Sequence, residues 1–158
     1  MAEAVLIEVS TRTRARKAAA AKRVNALLAS WDLGRVSCLN VSKLYRIHGG
    51  LSPGRVETVA RDLLSDPIVE DYSIDRAPLK KGTVFADVWY KAGVTDAVGE
   101  SVLGAIGCLG ISGAESASSG VRYEFSSGPA SDASEKLPGF AKRELLNPLV
   151  QECRIRKP

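Results

Sequence analysis

One histidine, His48, and three cysteines, Cys38, Cys108 and Cys153, are the residues best suited to nucleophilic or metal chemistry in this chain of 158 residues. His48 stands directly before Gly49-Gly50, with no serine or cysteine in a nucleophile motif beside it. Acid–base catalysis needs a partner held within hydrogen-bond reach, and the spacing places none, so a solvated turn histidine is expected. The cysteines are scattered and have no C-x-x-C spacing, which indicates neither a disulfide framework nor a zinc site. Asp62, Asp66, Glu70 and Asp71 form an acidic cluster. Their spacing suits a helix end and the solvent face of a strand better than the convergent oxygens a hard cation requires. No G-x-x-x-x-G-K-(S/T) phosphate loop is present. The reading from residue types is therefore no catalytic residue, no metal ligand and no cofactor site on this chain.

The charge pattern offers a second possible chemistry. Arg12, Arg14, Arg16, Lys17, Lys22 and Arg23 follow one another with no acid between them, and the net charge is +4. Such a run can be the footprint of a nucleic-acid binder. Aromatic residues for stacking are absent nearby, so a solvated helix face is the expectation and nucleic acid is not expected as a partner. The composition, 45% hydrophobic and 25% charged, is that of an ordinary globular domain. No apolar run approaches the roughly 20 residues needed to span a bilayer. Glu3 and Glu8 flank Val5, Leu6 and Ile7 without a signal-type apolar stretch, so no membrane association and a cytoplasmic location are expected.

The elements are clearest between Val84 and Gly110. Val84, Ala86, Val88 and Tyr90 alternate with Phe85, Asp87 and Trp89, the period-two pattern of a strand. Thr95-Asp96 offers a helix N-cap. Val98, Val102, Ala105, Ile106 and Leu109 then recur at helical spacing, and Gly110 suits the end. Gly99, Gly104 and Gly107 each cost roughly 1 kcal/mol against alanine, which suggests close approach to another backbone. G-V-T-D-A-V-G-E-S-V, with its A-I-x-x-L-G ending, resembles the signature of the small S-subunit family of phosphoribosylformylglycinamidine synthase. The family has Pro after the Asp, where this chain has Ala97.

The rest of the chain reads as follows. Val5, Ile7 and Val9 form a strand. A helix from about Thr13 to Trp31 has the stripe Ala20, Val24, Leu27, Leu28 and Trp31. A long strand from Val36 to Ile47 places Leu39, Val41, Tyr45 and Ile47 on one face, with a slip near Cys38-Leu39 that suggests a bulge. Ser52 and Pro53 open a helix that Asp66-Pro67 stops. Ile68–Ile74 is a strand and 75–82 a linker. Ile111–Ser119 is small and polar and reads as a loop. Val121, Tyr123 and Phe125 alternate as a strand, 127–135 is a polar loop, Lys136–Leu146 is a helix, and Leu149–Ile155 is the last strand.

The two halves repeat. A-R-D-L-L-S-D-P-I-V-E-D-Y-S-I ends at Ile74 and A-K-R-E-L-L-N-P-L-V-Q-E-C-R-I ends at Ile155; Pro67 and Pro148 are 148 − 67 = 81 positions apart. Repeats of this kind mark a duplicated unit. The expected fold is α+β: two tandem β-α-β-α-β units, 1–75 and 83–158 with a 76–82 linker, each with helices on one face of an antiparallel sheet, related by a pseudo-twofold axis like a fused dimer. Trp31, Trp89 and Tyr90 are candidates for a shared core or for a partner surface, with core the expectation because large aromatics are mostly buried.

The L-L-x-(D/N)-P ending is a second motif similar to the S-subunit family. The resemblance covers nearly the whole chain twice, as in the N-terminal domain of the long, fused synthase. The first unit lacks the G-V-T-D motif. The motif residues Gly93, Val94, Thr95, Asp96, Gly99, Glu100, Asp66, Pro67, Asn147 and Pro148 are expected to serve structure or an interface. The resemblance implies an enzyme that couples glutamine hydrolysis to ATP-dependent amidation of formylglycinamide ribonucleotide in purine biosynthesis. It implies that ATP, Mg and the glutaminase cysteine lie on the partner synthetase and glutaminase, with this chain the scaffold that docks them and assists ammonia transfer. An RNA-binding α+β module and a regulatory module for small molecules are the alternatives. Trp89, Tyr90 and Lys91 give the former weak support, and no sequence feature favours a ligand.

Overall fold

The computed structural model describes residues 3–33, 35–75, 79–126 and 132–157, with side chains from 135 onward in the last segment. The described residues form six strands and four helices. They are β1 (Ala4–Thr11), α1 (Arg14–Ser30), β2 (Ser37–Gly49), α2 (Pro53–Thr58), β3 (Glu70–Ile74), β4 (Thr83–Tyr90), α3 (Ala97–Cys108), β5 (Ala114–Ser126), α4 (Asp132–Phe140) and β6 (Gln151–Arg156). Both α2 and α4 finish in a π-helical stretch, Val59–Leu64 and Ala141–Leu145.

The strands form one antiparallel sheet in the order β3-β1-β2-β5-β4-β6. Exchanging β1, β2 and β3 with β4, β5 and β6 turns this order into its own reverse. The central pair is β2 with β5, in register from Ser37↔Ser126 to Gly49↔Ala114. The fold is thus α+β with an antiparallel sheet.

All four helices lie over the same face. Ala21, Val24 and Leu28 of α1 pack with Leu137 and Phe140 of α4 on Cys38, Val84, Ala86 and Phe125. Val56 of α2 and Val102 and Ile106 of α3 pack with Val59, Ala60 and Leu64 on Ile7, Val9 and Ile47. Each apolar cluster draws on both halves of the sequence, so neither half carries a core of its own.

Several elements differ from the sequence reading. The stripe of α1 runs through Ala21 rather than the exposed Ala20. The suspected bulge lies between Cys38 and Asn40, and Leu39 is the extra residue. It is therefore 43% exposed instead of sharing the apolar face. The stretch 111–119 is not all loop, because β5 begins at Ala114. The helix expected from Lys136 starts four residues earlier, with Pro138 inside it. The expected loop at 127–131 and linker residues 76–78 lie outside the described residues. Trp31 packs edge-on against Phe140 at 5.7 Å, while Tyr90 is exposed rather than core.

Candidate functional site

The first motif is spent on fastening α3 to β5. Asp96 is the N-cap of α3, not Thr95, which is exposed. One Asp96 oxygen, Oδ1, accepts from the Gly99 N–H at 2.9 Å and from the Ser119 hydroxyl at 2.7 Å. The other, Oδ2, accepts from the Ser119 backbone N–H. A carboxylate at a helix N-terminus also meets the favourable end of the helix dipole, and Glu100 in the first turn adds to that. Gly99 is small because β5 is close: a Cβ there would sit 2.4 Å from the Ala117 carbonyl oxygen. Gly93 turns the chain ahead of the cap with φ +82. Ala97 takes the first helical position, and Val94 is half-buried. A Cβ on Gly104 or Gly107 would meet nothing within 4 Å, so these two do not serve the close approach that Gly99 does.

The second motif builds the same turn twice. Pro67 and Pro148 each stand between a π-ended helix and a short strand. Asp66 Oδ1 accepts from the Ile68 N–H at 2.9 Å and Asn147 Oδ1 from the Leu149 N–H at 3.1 Å. The Asp66 N–H donates to Glu70 Oε2 and the Asn147 N–H to Gln151 Oε1, both at 2.9 Å. A cation from the end of the neighbouring strand closes each turn. Arg12 donates to the Ile68 and Glu70 carbonyls, and Lys91 donates to the Pro148 carbonyl at 2.6 Å. Ile68 and Leu149 are left 80% and 82% exposed at the tips.

The remaining candidates come apart. Asp62 pairs with Arg61, Glu70 with Lys43 and Asp71 with Arg12. Among the described residues no group of three His, Cys, Asp or Glu could hold a metal ion. His48 lies within β2 opposite Ser116 and Ala4 rather than in a turn. Burial pushes the Cys38 thiol up to about 12 and the Cys153 thiol up to about 11, so neither is a ready thiolate. Of the basic run, Arg14, Arg16, Lys22 and Arg23 are exposed, while Lys17 is half-buried.

One cluster escaped the sequence reading. On the sheet face away from the helices, Arg122 is fully buried. Its Nε and Nη2 donate to the two oxygens of Asp87 at 2.7 and 2.8 Å, and its Nη1 to Glu8 Oε2 at 2.8 Å. Burial opposes the charge, but the hydrogen bonds and charge of Asp87 outweigh it and raise the guanidinium's affinity for its proton. Glu8 and Asp87 come from different halves, so Arg122 ties β1 to β4 across β2 and β5. Beside it, Trp89 lies over Gly120, where a Cβ would sit 2.8 Å from the ring, and Arg46 stacks 4.1 Å above that ring. The only sequence signal was a charged residue at the centre of an alternating strand, which reads as solvent-facing.

In this α+β unit the paired motifs fasten helix to strand and helix to turn. Residues 83–158 match the model of the PurS family, phosphoribosylformylglycinamidine (FGAM) synthase. The match covers the second half of the chain, which is similar to this family, and it supports an involvement in FGAM synthase and purine biosynthesis. No curated protein matches the chain. Among the described residues no helix is long and apolar enough to cross a membrane.

Proposed function

We propose that the chain is a non-catalytic scaffold of phosphoribosylformylglycinamidine synthase, made of two fused PurS-type units. In this reading it docks the glutaminase onto the synthetase and assists ammonia transfer between them, while ATP and Mg sit on the synthetase. The observation that carries the reading is the use of the motif residues. Over the stretch that matches the family, Asp96, Gly99 and Asn147 are consumed by helix, strand and turn contacts rather than held free for chemistry.

Two further features support it. The palindromic strand order and the duplicated Asp66 and Asn147 turns suit a fused pair of units. Ile68 and Leu149, exposed at equivalent tips, and Val98 on α3 and Leu109 at its C-cap, both about half exposed, suit contact with partner subunits. The RNA-binding alternative is weakened, because Trp89 is only 4% exposed beneath Arg46 and has no free face for a base.

Sedimentation of synthetase and glutaminase, with and without this chain, tests the docking. A single complex containing all three is expected only when the chain is present. An Ile68→Asp, Leu149→Asp double variant, folded by circular dichroism, is expected to weaken it. Equal association of the two enzymes without the chain would overturn the scaffold role.

A further inference from the structure

A cavity of about 300 Å³ is lined from both halves of the chain: Glu8 and Asn40 from the first, Phe85 and Glu124 from the second, with Lys17 and Lys80 beside them. Its volume sits at the small end of ligand sites. Asn40 is 6% exposed, and its Oδ1 is buried with no hydrogen-bond partner among the described residues. Buried amide oxygens in native proteins are almost always paired, so an orphan on a residue that lines a cavity marks a place where a small turn of the side chain lets a ligand or water supply the donor.

The charges around Asn40 sort into used and unused. Glu8 is taken by Arg122 at 2.8 Å and by the Ser42 hydroxyl at 2.6 Å. Asp71, also on the wall, is taken by Arg12 at 2.9 Å. Glu124, Lys17 and Lys80 line the same space with no side-chain ion pair among the described residues. The cavity thus presents two unused cations, one unused carboxylate, one unused amide oxygen and the apolar Phe85 ring. A ligand that answers all of these carries an anionic group for the lysines, an ammonium for Glu124 and Asn40 Oδ1, and a short carbon frame against Phe85.

We infer that this cavity binds a small zwitterion of the α-amino acid class, held between the two halves of the sheet. The inference does not depend on the scaffold reading. A bound zwitterion would bridge α1, β2 and β5, and so would tighten the junction between the halves.

The test is calorimetric titration of the full chain with the common L-amino acids, alongside acetate, methylammonium and inorganic phosphate. Binding of at least one amino acid at millimolar affinity or better is expected, with shifts of the Asn40 and Glu124 amide signals in NMR. Lys17→Ala and Asn40→Leu should each weaken it about tenfold, the worth of one hydrogen bond to a charged group. If Asn40→Leu does not fold, Lys17→Ala alone decides. The inference is overturned if no amino acid binds at millimolar concentration. It is also overturned if acetate, methylammonium or phosphate binds as tightly as any amino acid, or if Lys17→Ala leaves the affinity unchanged.

Discussion

Asp66 and Asn147 occupy the same place in two turns: each side-chain oxygen accepts from the backbone N–H two residues on, at 2.9 and 3.1 Å. Each also gives its own N–H to a side chain four residues on, Glu70 or Gln151. Replacing either residue by alanine removes the side-chain acceptor and should cost about 1 kcal/mol. The two turns share no partner, so the double variant should lose the sum, within about 0.5 kcal/mol. Urea denaturation of the three variants checks this.

The turns differ in one titratable group. Glu70 accepts from the Asp66 N–H and from Lys43 at 2.9 Å, whereas Gln151 has no charge to lose. Burial works against the Glu70 carboxylate, but the Lys43 bond and the Asp66 N–H outweigh it and hold its pKa below the ordinary 4.5. A carboxylate with a depressed folded-state pKa stabilises the fold above its unfolded value and loses that contribution as pH falls through the folded one. Hydrogen exchange should therefore show the Asp66 amide losing protection on acidification below 4.5, beyond any change at the Asn147 amide. Parallel loss at both amides would contradict the assignment.

The glycines of α3 separate into two kinds. Gly99→Ala would place a Cβ 2.4 Å from the Ala117 carbonyl and 2.8 Å from the Asp96 carboxylate. Backbone does not yield cheaply, and a loss of about 2–3 kcal/mol is expected. Gly104→Ala meets nothing within 4 Å on an exposed helical position and should gain up to about 1 kcal/mol. Thermal melts of the two variants should move in opposite directions.

Arg122 neutralises Glu8 and Asp87 in a buried setting. Arg122→Met leaves Glu8 without its cation and Asp87 with only Arg156 at 3.5 Å, and should cost about 3–5 kcal/mol. Adding Glu8→Gln and Asp87→Asn removes the stranded charges, so chemical denaturation of the triple variant should recover part of that loss. No recovery would mean that Arg122 acts through packing alone.

Where local chemistry decided an element, the sequence was readable. Asp66-Pro67 and Asn147-Pro148 stop their helices as their residue types require, and the slip at Cys38-Leu39 is a bulge. The start of β5 was hidden because Ala114–Ser119 is made of small and polar residues with weak strand preference. Their size is set by α3, which lies close enough for Gly99 to meet the Ala117 carbonyl. Arg122 and Asn40 were hidden for a different reason. Their burial depends on strands from both halves lying side by side, and alternation along one strand carries no information about that.

The central claim, that this chain couples two enzymes without catalysing either step, is tested most directly by the nitrogen source. Synthetase, glutaminase, ATP and formylglycinamide ribonucleotide are assayed with and without the chain, using glutamine or ammonium. Free ammonia needs no docking, so ammonium-dependent turnover should be the same in both cases. Glutamine-dependent turnover should rise only when the chain is present, because ammonia from an undocked glutaminase is lost to solvent. Equal stimulation of both reactions, stimulation of neither, or ATP hydrolysis by the chain alone would contradict the scaffold account.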